Sequence, residues 1–372
     1  MSYIVLNDHW IMIAAAFLTA FLIAYMAIPS LVEVARAKNL YDEPNGRTSH
    51  DHITPTLGGV AIFAGFVISS MIFVDISRIT NIQYILAGAI IIFFLGLKDD
   101  IIGLSPLKKF IGEIIAAFII IDFGGIHITN LHGLLGIYGI DQLGGDFLTM
   151  IIIIGIINAM NLIDGIDGLA SGVGIIASLA FGSWFYFVGD RELAILAVAL
   201  VGGLVAFFRF NFFSHSNKIF MGDIGSLLLG YILAIFAILF NERALTIAMG
   251  NPYFVQSAPA VSIGILIVPV FDTVRVMLVR MIKGKSPFKA DKRHVHHYLL
   301  ELTGSHRKST LIILFVNLIF IFVSFYFAHM GVTRLIIYLL ILATVVSFIP
   351  YYLLHKKRKS EVVTEGEFKA DA

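Results

Sequence analysis

The sequence predicts an all-α polytopic membrane protein: a bundle of about eleven transmembrane helices, with a cleft on the cytoplasmic side and a small external β-hairpin. Three observations predict it. Of 372 residues, 58% are hydrophobic and only 14% charged, against roughly 25% charged in ordinary soluble domains. The apolar residues gather in runs long enough to span a bilayer. The basic residues between those runs lie mainly on one side. The chain has no cysteine, which excludes disulfides and thiolate metal sites. The lipid bilayer is the expected partner and nucleic acid is not; the net charge of +1 says little by itself, because where the charges sit matters more than their sum.

Crossing the hydrocarbon takes about 17–25 mostly apolar residues. Runs near that length cover 10–31, 57–74, 82–97, 107–122, 146–160, 168–187, 193–210, 224–240, 258–281, 310–329 and 334–354. The first follows an acidic start and lacks a small-residue cleavage site, so it reads as a membrane helix and not as a cleaved signal. Residues 1–354 form one integral-membrane domain. Residues 355–372 form a tail, basic at Lys356-Lys357-Arg358-Lys359 beside anionic headgroups and disordered beyond. The segment 123–145 interrupts the helical pattern, and its glycine-flanked stretches 124–133 and 135–140 read as two short strands.

With the N-terminus outside and eleven crossings, loops 33–56, 98–106, 161–167, 211–223 and 282–309 share one side with the tail. Together with adjoining helix ends they hold 21 of the 26 Lys and Arg. Such loops face the cytoplasm.

Every unusual polar cluster belongs to that set. Asn158, Asn161, Asp164 and Asp167 recur every three residues, which brings them to one face of a helical turn. Ionisable groups at a bilayer boundary are costly unless they bind something, and this pattern suits a hard cation with an anionic partner. Asp99 and Asp100 end the third run. Either they cap a helix, or each serves a different partner, since adjacent side chains diverge. Asp223, between Gly222 and Gly225, is either a plain N-cap or a carboxylate beside a phosphate-binding helix terminus, where it suits Mg²⁺. Asn211 precedes it.

His294, His296 and His297, beside Arg293, admit three readings: zinc ligands, anion contacts or a solvated loop. Zinc is disfavoured without a supporting carboxylate. Arg47 and His50 have a weaker claim, because Pro44 and Gly46 explain their turn unaided. Asp272 and Arg275 read either as an ion pair facing the bundle or as positions lining the cleft. Polar clusters from separate loops on one face imply one shared site. A transporter places such groups near mid-membrane; an enzyme joining a soluble polar substrate to a lipid places them here.

Taken together, these clusters resemble the polyprenyl-phosphate N-acetylhexosamine-1-phosphate transferases. The resemblance runs from about Asp42 to His297. It rests on Asp42-Glu-Pro-Asn-Gly-Arg-Thr-Ser-His50 with Pro55-Thr-Leu-Gly-Gly59, on Asp99-Asp100-Ile-Ile-Gly103, and on Asn158-x-x-Asn161-x-x-Asp164-Gly-x-Asp167-Gly-Leu-Ala170. Phe220-Met-Gly-Asp-Ile-Gly-Ser226 and His294-Val-His-His297 complete it. The family resemblance implies ten or eleven helices in a bacterial inner membrane, a cytoplasmic active site and, by resemblance alone, a homodimer. It implies transfer of a sugar-1-phosphate from a UDP-N-acetylhexosamine to undecaprenyl phosphate, releasing UMP, with Mg²⁺ required and Mn²⁺ as a substitute.

By match of motifs, Asn161 and Asp223 are expected at the metal, and Asp99 and Asp100 at the lipid phosphate. Asn158, Asp164, Asp167 and Asn211 are expected around the nucleotide diphosphate. Arg47, His50, Arg293, His294, His296 and His297 are expected to contact substrate anions. Enzymes of the family that use UDP-MurNAc-pentapeptide carry Pro-x-His-His-His-x-Glu in the last cytoplasmic loop. The stretch here, Asp291-Lys-Arg-His-Val-His-His-Tyr298, is closer to the N-acetylglucosamine branch. One departure is Ser214-His-Ser-Asn-Lys218, where the family usually has a Pro-Ala pair, so the resemblance does not carry sugar selectivity over to that loop.

Overall fold

A computed structural model describes the backbone of residues 2–38, 41–42, 54–79, 81–214, 216–286 and 293–370, and side chains over the same range from 10 to 38 and from 54 to 359. Arg47 and His50 lie outside the described residues. Helices dominate, as the apolar runs require. They are α1 (Ser2–Lys38), α2 (Gly58–Phe73), α3 (Ile82–Ile102), α4 (Pro106–Phe118), α5 (Gln142–Ile163), α6 (Leu169–Val188), α7 (Arg191–Phe208) and α8 (Gly222–Ala244). After these come α9 (Ala258–Ile265), α10 (Ile267–Ile282), α11 (Val295–Thr303), α12 (His306–Tyr326) and α13 (Val332–Ala370). Two short antiparallel pairs accompany them: β1 (Tyr41–Asp42) with β2 (Thr54–Pro55), and β3 (Asn130–Leu134) with β4 (Ile137–Gly139). The second pair falls within the segment 123–145.

Among the described residues, seven helices are long and apolar enough to cross a membrane, or eight if α9 and α10 count as one span. Eleven crossings are not reached on that criterion. The other expected runs are helical, but α2 has only 16 residues, α4 carries Lys108, Lys109 and Glu113, and α3 ends in Lys98-Asp99-Asp100. The run 258–281 is broken at Leu266 by an 83° bend. In the tail, helix α13 continues to Ala370. Once a span has nucleated a helix, adding residues costs little.

The centre of the bundle is α8. It is apolar on every face from Ile224 to Ile238, and nearly all of it is buried, as expected of a helix enclosed by others. Helices α2, α3, α5 and α6 pack around it, while α1 packs on α2 and α7. Because α8 is surrounded, its first turn meets residues from several loops at one end of the bundle.

Candidate active site

That first turn rests on a neighbouring carboxylate. Asp100, near the end of α3, accepts the backbone N–H groups of Asp223 at 2.8 Å and Ile224 at 3.1 Å. These are N–H groups that a helix start leaves without intrahelical partners. Gly222 makes the approach feasible: its φ is +68°, and a Cβ there would lie 2.5 Å from Asp100 Oδ2. Burial pushes the Asp100 pKa up to about 7, with the charges of Asp223 and Asp99 adding to the rise against the two amide hydrogen bonds.

Asp99 diverges from Asp100, as adjacent helical positions must. Its Oδ1 accepts the Leu104 N–H at 2.6 Å, and its Oδ2 lies 3.1 Å from Lys109 Nζ. Burial opposes its ionisation, but contacts with Asp223, the Leu104 amide and Lys109 together hold its carboxyl below the usual range. The same ammonium donates to Asp223 Oδ2 at 3.0 Å. Lys109 therefore bridges two carboxylates from different helices. Asn161 donates its side-chain amide to Asp223 Oδ1 and, at 2.9 Å, to Ser226 Oγ.

The turn between α5 and α6 supplies the opposite wall. Asp164 lines the cavity, and its side chain takes no hydrogen bond from the described residues. Burial, followed by the charges of Asp223, Asp100 and Asp167, raises its pKa well above the carboxylate range. Asp167 Oδ2 accepts from Lys218 Nζ at 2.7 Å, while its Oδ1 is buried without a hydrogen-bond partner. His306 stands 3.9 Å from Asp167. Asn211 accepts the Gly168 N–H at 2.6 Å and donates to the Ile219 carbonyl at 2.8 Å, so it ties this turn to the segment entering α8. Asp99, Asp100, Asn161, Asp164, Asp167, Asn211 and Asp223 enclose one cavity of about 400 Å³, with Thr56, Phe220 and Met221 among the rest of its lining.

Not every expected residue faces that cavity. Asn158 turns away and donates to Glu113 Oε2 at 2.6 Å. His294, His296 and His297 form a stacked group at the start of α11, and none of them lines the cavity. His296 is 2% exposed and packs behind the turn at Gly165. Burial, then the neighbouring His297, pushes its pKa down to about 3, so the ring is neutral near pH 7. Arg293 presents its carbonyl to Arg275 at 2.6 Å. Asp272 and Arg275 do form an ion pair, at 2.7 Å.

Sequence reasoning missed Lys109, Glu113, Lys218 and His306. A signal was available for the first two, because Lys108, Lys109 and Glu113 interrupt an otherwise apolar run. Among the described residues no three His, Asp or Glu side chains group as a ready-made metal site. The donors nevertheless fit a hard ion. Asp223 and Asp164 offer carboxylate oxygens to the cavity, and Mg²⁺ is ordinarily held by one or two carboxylates completed by substrate phosphates.

The chain is similar to known proteins over most of its length. Residues 82–241 match the family model described as glycosyl transferase family 4. The chain is 34% identical over 322 residues to the probable undecaprenyl-phosphate N-acetylglucosaminyl 1-phosphate transferase of Bacillus subtilis, covering 85% of each protein. It is 33% identical to the decaprenyl-phosphate N-acetylglucosaminephosphotransferase of Mycobacterium tuberculosis, covering 80% of this chain and 78% of that one. Against the undecaprenyl-phosphate alpha-N-acetylglucosaminyl 1-phosphate transferase of Escherichia coli K12, identity is 30%, covering 76% and 74%. The chain belongs to this family of polyprenyl-phosphate N-acetylglucosamine-1-phosphate transferases.

Proposed function

We propose that the protein transfers N-acetylglucosamine-1-phosphate from UDP-N-acetylglucosamine to undecaprenyl phosphate at the cytoplasmic face of a bacterial inner membrane, releasing UMP. One observation carries the reading: the acid and amide clusters of α3, α5, the α5–α6 turn and α8 converge on one cavity at one end of the bundle. The names of the relatives support N-acetylglucosamine and a polyprenyl phosphate. A cytoplasmic cavity follows the bias of Lys and Arg and leaves the β3–β4 hairpin outside.

The reaction joins two phosphates, so repulsion between anions dominates the barrier. Asp223, with Asn161 beside it, would hold Mg²⁺, which would supply charge neutralisation for the phosphates. Lys109 and Lys218 bring two ammonium groups to the same walls and offset the carboxylates there. A phosphate monoester has a second pKa near 6, so the acceptor is largely dianionic at pH 7 and needs no strong base. Asp99, held below the usual carboxylate range, is a poor base and suits a positioning role at the lipid phosphate. Asp100 keeps α8 in place. A single displacement follows, with inversion at phosphorus; net retention from a chiral-phosphate donor would instead require a phospho-aspartate.

The decisive assay incubates purified protein with undecaprenyl phosphate, Mg²⁺ and radiolabelled UDP-GlcNAc, UDP-GalNAc or UDP-MurNAc-pentapeptide. Lipid-linked product and UMP are expected from UDP-GlcNAc, stopped by chelation and restored by Mg²⁺ or Mn²⁺. No product from any donor overturns the proposal.

A further inference from the structure

We infer that Asp272 is a positioning residue for this site: it fixes the histidine segment, which in turn supports the turn carrying Asp164 and Asp167. The inference rests on the proposed function, and it assigns a job to a buried carboxylate that does not line the cavity. Asp272 is 6% exposed and sits on α10, just past the 83° break that redirects this span. Its Oδ1 accepts Arg275 Nη2 at 2.7 Å, and its Oδ2 lies 2.9 Å from His294 Nδ1. Both oxygens also accept the Val295 N–H, at 3.2 and 3.3 Å. Arg275 donates onward to the Arg293 carbonyl at 2.6 Å. A single carboxylate and its arginine thus order three consecutive residues, 293–295, at the start of α11.

The next contacts lead to the site. A carboxylate accepts only, so it selects the His294 tautomer that carries its proton on Nδ1. The His294 ring lies nearly parallel to that of His296, with centroids 5.6 Å apart and planes 14° apart. His296 Nε2 in turn is 2.8 Å from where a Cβ on Gly165 would be. Gly165 lies next to Asp164 and two residues before Asp167, both of which line the cavity, so the histidine ring sits against the turn that carries them. A glycine is required at that position, because any side chain would displace either the ring or the turn. Every link is a packed or hydrogen-bonded contact, which is the physical form such coupling takes.

The test compares intact wild-type protein with Asp272→Asn, which keeps size and one acceptor oxygen but loses the charge, and with Gly165→Ala, which pushes on the same contact from the other side. Diethyl pyrocarbonate modification, read peptide by peptide by mass spectrometry, reports histidine exposure independently of activity. In Asp272→Asn, we expect His294 and His296 to react at least roughly tenfold faster, and kcat to fall roughly 10- to 100-fold, by analogy with the cost of removing a carboxylate that orients a metal-bound histidine. KM should change little. The double variant should be no slower than the slower single one. Unchanged modification rates or unchanged kcat in a folded Asp272→Asn protein overturns the inference. If the wild type turns over no donor, the proposed function fails, while the modification rates still decide whether Asp272 holds the histidines.

Discussion

Helices α8 and α11 both begin on a carboxylate donated by another helix, Asp100 from α3 and Asp272 from α10. The device is the same, and the consequences differ. At α8 the donor lines the cavity, and the helix it caps projects Asp223 into that cavity one residue after Gly222. At α11 the donor does not line the cavity, and the helix it caps presents His296 to the Asp164–Asp167 turn at Gly165. One cap builds the reacting surface and the other braces it. An acidic residue at a helix junction therefore cannot be assigned a role from its type alone. What its amide partners carry decides.

The largest expected effect tests the α8 side. Asp223→Ala should lower UMP release by on the order of 10²- to 10³-fold while the protein still inserts and purifies; near-normal turnover would remove Asp223 from the reacting surface and erase the contrast. Lys109→Met comes next. It leaves Asp99 and Asp223 facing each other without their shared ammonium, and a loss on the order of 10²-fold is expected, partly restored by Lys109→Arg. Equal activity of the Met and Arg variants would show that the bridge has no bearing on the reaction.

The two junctions should also respond to pH with opposite signs. Asp100 rises from an ordinary 3.8 to about 7 on folding, so the folded protein keeps a proton that the unfolded chain has lost. Its contribution to stability falls as pH rises through that window. His296 drops from 6.5 to about 3, so its contribution is complete above pH 6.5 and is lost on acidification. Thermal midpoints measured between about pH 4.5 and 7 should climb more steeply with pH in Asp100→Asn and more shallowly in His296→Gln. Identical profiles in all three proteins would mean that neither junction titrates as the structure implies.

The smallest effect concerns a contact added to α11 from outside. Arg358 on α13 forms a bidentate pair with Glu301, both about half exposed. Glu301→Gln should cost under about 1 kcal/mol, seen as a slight drop in thermal midpoint with turnover intact. A larger loss would mean that α13, and not Asp272, holds α11.

Much of this was readable in the chain. Long apolar runs announce helices because lipid leaves the backbone no other way to satisfy its hydrogen bonds. The three-residue spacing of Asn161, Asp164 and Asp167 also anticipated a shared site, and all three line one cavity. Asn158 belongs to the same series yet turns to Glu113, because a helical register says nothing about which neighbour waits on each face. Lys109 reaches Asp223 across 114 residues and Lys218 reaches Asp167 across 51; no local pattern encodes such pairs. The break at Leu266 was hidden in a run that is apolar on both sides of it.

Composition, apolar run length and the placement of charges are local properties, and they determined that this chain forms a membrane bundle with its polar clusters gathered at one end. The partners of those clusters are properties of the packing. Only the tertiary structure decided that Asp100 caps α8 instead of standing free, that Lys109 joins Asp99 to Asp223, and that Asp272 works through histidines. The reason is physical. A carboxylate buried at a helix junction must find donors, and which ones come within reach depends on how the helices pack together.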